Sequence, residues 1–208
     1  MKAVVVTGGA HPPREKALEW AHGADLIIAA DSGLDTARRY GWSPQLVVGD
    51  FDSISDDRLL AEFESSKLLR FPPEKDETDT EIAIRIAREE GCNETVLIGG
   101  GGGRLDHLLA IVALFERPMR PDAWISNTAI VIPVERETIQ QGQIGEIISF
   151  FPLGCEPARM RSQGLRWPLD GITWTRGDTG ISNEFSEEQI GIAMITGRLL
   201  MVRPVEDS

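Results

Sequence analysis

Leu26-Ile27-Ile28-Ala29-Ala30-Asp31-Ser32-Gly33 and Leu46-Val47-Val48-Gly49-Asp50-Phe51-Asp52-Ser53 are the two stretches that decide the fold of this chain. Each opens as a short apolar run, suited to a strand buried on both faces, and each ends abruptly in acid and glycine. In an open α/β sheet, ligands bind in the crevice beyond the carboxyl ends of the strands. Asp31, Asp50 and Asp52 are therefore expected on one edge. In an extended segment, residues two apart point the same way. Asp50 and Asp52 would then offer two carboxylates to one cation, with Phe51 turned into the core.

Working outward, residues 3–6 form a β-rich run and residues 13–21 a helical one. Ser32 can cap a short helix reaching Tyr40, with Gly41 as its stop. Ser55 reads as a further N-cap, with Ile54 and Leu59 as a hydrophobic staple, and residues 68–71 as a weaker strand. Thr78 and Glu81 make a capping-box pattern, after which Ile82, Ala83, Ile86 and Ala87 recur on one helical face until Gly91. Residues 95–98 are another buried-type strand. Leu105, Leu108, Leu109, Val112 and Ala113 mark one face of the next helix. This alternation predicts a mostly parallel sheet covered by helices on both sides.

The pattern changes near residues 118–121. Short strands follow at 129–133, 146–151, 171–175, 190–196 and 199–202, punctuated by Gly, Pro and Asp, with no long helix. The fold class is thus an α/β domain over residues 1–120, followed by an all-β sandwich over residues 121–208. No internal repeat or low-complexity segment is present.

The 208 residues suffice to bury a core without staples. Hydrophobic residues make up 41% and charged residues 26%, which are globular values. The net charge of −12 repels polyanions, so nucleic acid and an anionic membrane surface are not expected partners, whereas cations are compatible. No window approaches the roughly 20 apolar residues of a membrane span. The apolar start at residues 3–6 is too short for a signal-peptide core. Cys92 and Cys155 fit no metal spacing and read as reduced core residues. A cytoplasmic protein is expected.

Three clusters carry chemistry. Asp50 and Asp52 suit a hard cation such as Mg²⁺, which takes one or two carboxylates plus substrate phosphates; a polar turn would also explain them. Lys75-Asp76-Glu77-Thr78-Asp79 opens a helix. Acids in a first turn complement the helix dipole, but Lys75 beside a helix N-terminus also suits polyphosphate. Residues 99–103 are five glycines between a strand and a helix, where backbone N–H groups can approach phosphate oxygens unobstructed. They are followed by Arg104, which can grip phosphate with two donors, then Leu105, Asp106 and His107. Asp106 could bind metal, bind substrate or favour the helix start. His107 has no identifiable partner and reads as structural. Gly177-Asp178-Thr179-Gly180-Ile181-Ser182-Asn183 reads by itself as a hairpin loop.

Taken in order, these motifs resemble the thiamine pyrophosphokinase family, bacterial type. The residues that carry the resemblance are Asp31-Ser32-Gly33, Gly49-Asp50-Phe51-Asp52-Ser53, Lys75-Asp76-Glu77-Thr78-Asp79 and Gly102-Gly103-Arg104-Leu105-Asp106-His107. Gly164-Leu165-Arg166-Trp167-Pro168-Leu169 and Gly180-Ile181-Ser182-Asn183-Glu184-Phe185 complete the set. The resemblance implies a Rossmann-like N-terminal domain that binds ATP, a β-sandwich that binds thiamine, and a homodimer with shared active sites. It implies Asp50, Asp52 and Asp79 as Mg²⁺ carboxylates, and Arg104 and Asp106 near the phosphates and the reacting hydroxyl. Asp31, Ser32, Gly33, Ser53, Lys75, Thr78, Gly102 and Gly103 would line the ATP site. Ser182, Asn183 and Phe185 would contact thiamine. Some family members place a Trp after the Ser-Asn motif. Here none follows Asn183, which leaves Phe185, Trp167 and Trp174 as candidates for the stacking role.

The implied reaction moves pyrophosphate from ATP to the thiamine hydroxyl and releases AMP. The competing readings are a pyrophosphokinase for another alcohol such as a hydroxymethyl-pterin, a Mg²⁺-dependent phosphatase or nucleotidyltransferase, and a non-catalytic thiamine- or nucleotide-binding module.

Overall fold

A computed structural model describes residues 1–55, 57–64 and 67–205. Contacts divide the chain into Met1–Thr128 and Ala129–Ser208. The first unit alternates β1 (Lys2–Thr7), α1 (Arg14–Ala21), β2 (Leu26–Ala30), α2 (Gly33–Arg39) and β3 (Leu46–Gly49). A 3₁₀ turn (Asp57–Glu62) leads to β4 (Leu68–Arg70), and then come α3 (Asp79–Glu89), β5 (Glu94–Ile98), α4 (Leu105–Leu114) and β6 (Ala123–Ile125). The strands lie in the order β6-β5-β1-β2-β3-β4, every pair parallel. Ala3, Val4, Val5 and Val6 of β1 are fully buried, as expected of a central strand covered on both faces.

The chain leaves β1 toward β2 on one side, and returns from β4 to β5 on the other. That reversal places a crevice above β1, bordered by the loops after β1 and β5. α3 makes the return crossing, packing over β1, β2, β3 and β5. Its start is fixed by the predicted capping box: Thr78 Oγ1 accepts the Glu81 N–H (3.2 Å) and Glu81 Oε2 accepts the Thr78 N–H (2.9 Å). Ile82, Ala83, Ile86 and Ala87 form its buried face, as their spacing predicts. Thr80 and Thr7 share a buried hydroxyl hydrogen bond of 2.8 Å, which pins the first turn of α3 to the end of β1.

One local expectation is corrected, and two others meet further detail. First, α4 buries Ile111 and Leu114, while Leu105, Leu109 and Val112 of the predicted face are 67%, 60% and 41% exposed. The helix is apolar nearly all round, so periodicity cannot choose its face; packing does. Second, Ser55 gives its N–H and hydroxyl to Asp35 (3.1 and 2.6 Å), tying its loop to α2; position 56, where a helix capped by Ser55 would begin, lies outside the described residues. Third, the division of the chain falls after Thr128 rather than after residue 120, because β6 extends the parallel sheet beside β5.

The second unit holds β7 (Ala129–Val134), β8 (Glu137–Gln141), β9 (Ile147–Leu153), β10 (Ala158–Gln163), β11 (Thr173–Trp174), β12 (Gly180–Glu184), β13 (Gln189–Thr196) and β14 (Arg198–Pro204). Two antiparallel layers, β12-β9-β14-β7 and β11-β10-β13-β8, enclose Ile148, Phe150, Met160, Phe185, Ile190 and Leu199. Residues 177–183 are not simply a hairpin loop. The turn ends at Asp178, whose Oδ2 accepts the N–H (2.7 Å) and the hydroxyl (3.0 Å) of Thr175; Gly180 onward joins β9 as a strand.

Candidate active site

Parallel strands deliver their last residues to one edge, and the helix that follows starts there. Asp31 directly follows β2, Asp50 directly follows β3 and Asp79 opens α3, so the topology gathers three carboxylates. One oxygen of each lies within 4.8 Å of the others, and all three residues are partly buried. Asp31 holds its carboxyl there from a left-handed backbone (φ +48), a rare conformation for a residue with a Cβ. Its N–H donates to the Val48 carbonyl (2.7 Å). Burial pushes the Asp31 carboxyl above its ordinary value. The Ser32 N–H and the Ser53 hydroxyl pull it back, and the Asp79 and Asp50 carboxylates push it further up. Asp31 Oδ1 and Asp79 Oδ1 are buried without a hydrogen bond. Lys75 Nζ lies 3.2 Å from Asp79 Oδ1 and donates to the Pro72 carbonyl (3.0 Å).

Asp52 does not join this trio. Phe51 is at φ +71, so the segment is not extended and the two-residue alternation fails. Phe51 is buried (5% exposed) as expected, with the Arg70 guanidinium 4.7 Å from its ring centroid. Asp52 turns out to solvent and accepts the Ser53 hydroxyl (2.8 Å). It keeps a link to Asp50, whose Oδ1 accepts the Asp52 N–H at 3.3 Å. Both acids border a smaller cavity of about 350 Å³ with Arg70, Phe71, Pro72 and Pro73. Asp31 is the third member of the cluster instead, and sequence placed it only on the same edge.

The main cavity, about 510 Å³, runs from Asp31, Ser32, Ser53, Thr78 and Asp79 to the glycine run, Arg104 and His107. Gly33 lies beneath it: a Cβ there would sit 2.0 Å from the Val6 carbonyl oxygen, so only glycine lets α2 start so close to β1. The glycine run is only partly available to a ligand. The N–H groups of Gly99, Gly100 and Gly101 donate to Ile125, Gly8 and Ala10 carbonyls (3.0, 2.7 and 2.9 Å), and Ala10 returns a bond to Gly101. The Gly99 bond ties the end of β5 to β6, and the others stitch the β1 and β5 loops together. Gly102 and Gly103, at φ +70 and +66, have no such partner among the described residues. The Tyr40 hydroxyl fixes the far end of the β1 loop by donating to the Pro12 carbonyl (2.6 Å), and burial pushes its pKa up to about 12.

Arg104 and Asp106 are exposed and pair bidentately (3.2 and 2.5 Å), and that guanidinium holds the Asp106 carboxyl below its usual range. Sequence missed the apolar wall of Ala110, Ile111 and Leu114, because the face of α4 was misassigned, and it missed Thr7 and Thr80 because hydroxyls in strands and helices carry no motif.

In the second unit, Ser182 is exposed at φ +57, and its N–H donates to Ser149 Oγ (3.1 Å). Asn183 is 5% exposed and its amide is spent on the backbone: Oδ1 accepts from Trp167 and Glu184 N–H groups (3.2 and 2.8 Å), and Nδ2 donates to the Trp167 carbonyl (2.7 Å). Phe185, expected at the substrate, is 1% exposed in the sandwich core, where it follows β12 and bridges to Leu165. Trp174 packs over Gly180 at the core margin. Trp167 remains 50% exposed, with the Arg166 guanidinium 4.7 Å from its ring and Glu184 holding that arginine at 2.6 Å.

A cavity at a sheet switch point, lined by glycine N–H groups and bordered by carboxylates, is the arrangement of an enzyme that handles a phosphorylated ligand. The comparisons narrow the class. The model of the thiamin pyrophosphokinase catalytic domain matches residues 17–125, and that of the thiamin pyrophosphokinase vitamin B1 binding domain matches residues 134–199. Thiamine pyrophosphokinase of Bacillus subtilis (strain 168) is 29% identical over 188 residues, covering 87% of this chain and 88% of its own. The crystal structure of thiamin pyrophosphokinase from Geobacillus thermodenitrificans aligns with TM-score 0.81 at 28% identity, over 100% of this chain and 99% of that one. The Bacillus subtilis enzyme structure aligns with TM-score 0.83 at 24% identity over the whole of both chains, a likeness of fold.

The chain belongs to the thiamin pyrophosphokinase family. Membership assigns ATP-dependent transfer of pyrophosphate to thiamine, a transferase reaction, and disfavours the pterin and binding-module readings.

Proposed function

We propose that this reaction requires a divalent cation, Mg²⁺ by the hardness of its ligands, held by Asp31, Asp50 and Asp79. The observation that carries this is the convergence of three carboxylates, two of which have a buried oxygen lacking any hydrogen bond. Buried polar atoms are ordinarily satisfied, and hard oxygen donors of this number suit Mg²⁺ completed by phosphate oxygens and water. When bound, the ion supplies charge neutralisation to the polyphosphate.

The chain's own groups do the rest. Gly102 and Gly103 N–H groups receive phosphate oxygens, and Lys75, Ser32, Ser53 and Thr78 border the ATP site. Arg104 exchanges Asp106 for phosphate, stabilising charge on the transferred group. Asp106, released from Arg104, orients the thiamine hydroxyl and takes its proton as the oxygen attacks the β-phosphorus. The bond from the β-phosphorus to the bridging oxygen of AMP then breaks. Asp52 borders the neighbouring cavity and supports Asp50 through its N–H.

Trp167 is the aromatic that offers a face to the thiamine ring, Ser182 lies on the exposed side of β12, and Asn183 sets the Trp167 turn. The exposed stripe Leu105, Leu109 and Val112 supports a homodimer with shared active sites. The acidic net charge supports a cytoplasmic protein free of nucleic acid and membrane; among the described residues no helix is long and apolar enough to cross a membrane.

Product analysis tests the reading. ATP, Mg²⁺ and thiamine should yield AMP and thiamine diphosphate, with AMP absent when thiamine is omitted. Asp50→Asn should remove most turnover while preserving the fold. ADP as product, AMP without an acceptor, or full activity in Asp50→Asn would overturn it.

A further inference from the structure

We propose that Lys75 is a built-in stand-in for the divalent cation: its ammonium neutralises Asp79 while no ion is bound, and must leave Asp79 for the ion to enter. The inference rests on the cation site proposed above. It starts from a geometry that a phosphate-binding lysine does not need. Lys75 Nζ faces Asp79 Oδ1 at 3.2 Å, and the two side chains are only 15% and 23% exposed. The same oxygen is buried with no hydrogen bond, and the ammonium is the positive charge that faces it. A second tether, to the Pro72 carbonyl at 3.0 Å, holds the ammonium there.

Three carboxylates whose oxygens lie within 4.8 Å repel one another, and the ammonium relieves part of that repulsion. A divalent ion on Asp79 and an ammonium 3.2 Å from the same oxygen repel in turn, so each disfavours the other. Ion entry therefore displaces Lys75, whose stem has the freedom to carry its charge to the nearby polyphosphate. Ion and nucleotide then favour each other's binding through one side chain: the ion frees the lysine that the phosphates use, and the phosphates hold the lysine away from the ion's ligand. Such a coupling must be reciprocal.

The test is a titration of the nucleotide-free protein with Mn²⁺ alone, followed by electron paramagnetic resonance, with thermal unfolding in chelator and in excess Mn²⁺ as a second reading. Lys75→Met should bind Mn²⁺ about tenfold tighter than the unaltered chain. It should melt lower in chelator yet gain more from the ion. Lys75→Gln, which keeps a donor for Pro72 but not the charge, should also bind more tightly. Arg70→Gln, which removes a charge that packs over Phe51 and donates to the main-chain oxygen of Asp50 (2.8 Å) rather than to a carboxylate of the cluster, should change Mn²⁺ affinity much less. Equal tightening by Arg70→Gln would reduce Lys75 to a general charge effect and overturn the proposal. Unchanged or weaker Mn²⁺ binding in both Lys75 variants, with the unaltered chain binding normally, would overturn it while leaving the cation site intact. Absence of Mn²⁺ binding in every form would overturn the cation site, and this inference with it.

Discussion

Asp31→Asn should make the ion-free protein more stable while abolishing its response to Mg²⁺. Two carboxylate pairs involve Asp31. At separations up to 4.8 Å and an effective dielectric of about 20, each pair would repel by about 3.5 kcal/mol. The edge is only partly buried, and screening cuts this to about 1 kcal/mol per pair. Asparagine tolerates the left-handed backbone that Asp31 adopts, and gives back about 1 kcal/mol by bonding the Ser32 N–H and Ser53 hydroxyl less strongly. The net gain is about 1 kcal/mol, or roughly 2–4 °C for a chain of this size. The sign with pH follows from the raised Asp31 carboxyl. A raised folded-state pKa gives stability that is present in acid and lost as pH rises through that value. The variant and the unaltered chain should therefore melt together in acid and separate above the ordinary carboxylate range. With Mg²⁺ at 100 times its dissociation constant, the unaltered chain gains about 2.7 kcal/mol, the variant far less, and the order reverses. Differential scanning fluorimetry with chelator or Mg²⁺, from acid to mildly alkaline pH, reads all three effects. An Asp31→Asn protein that melts lower in chelator at alkaline pH, or gains as much from Mg²⁺, would refute the reasoning.

Further outcomes follow from single side chains. Trp167→Ala should raise KM for thiamine about tenfold with little change in melting temperature, as expected for a half-exposed ring that stacks on a ligand. Phe185→Ala should cost about 3–5 kcal/mol in urea unfolding, with no loss specific to thiamine, because its ring fills the sandwich core. Thr78→Ala breaks the capping box and should cost about 1 kcal/mol by the same assay, while also raising KM for ATP. If the proposed homodimer uses the outer stripe of α4, the unaltered chain should sediment as a dimer and Leu109→Glu as a folded monomer.

The alternation of strand and helix was legible because each of its signals is local. The runs after which Asp31 and Asp50 stand, and the Thr78–Glu81 box, are each specified within a few residues. What failed needed tertiary knowledge. The paired-acid reading of Asp50 and Asp52 assumed an extended chain, and the positive φ of Phe51 broke it. β8 and β10 went unread because strands at Glu137–Gln141 and Ala158–Gln163 carry few apolar residues. The same limit placed Phe185 at the substrate and left Phe185, Trp167 and Trp174 undivided as stacking candidates: Ser-Asn-Glu-Phe gives order along the chain, whereas packing decides which rings turn inward.

α4 serves two surfaces at once. Ala110, Ile111 and Leu114 form part of the cavity wall, while Leu105, Leu109 and Val112 on the same three turns face outward. A rigid rod cannot yield on one side without shifting on the other. Whatever covers the outer stripe therefore bears on the chamber wall through one short helix, and a load on one face is carried to the other.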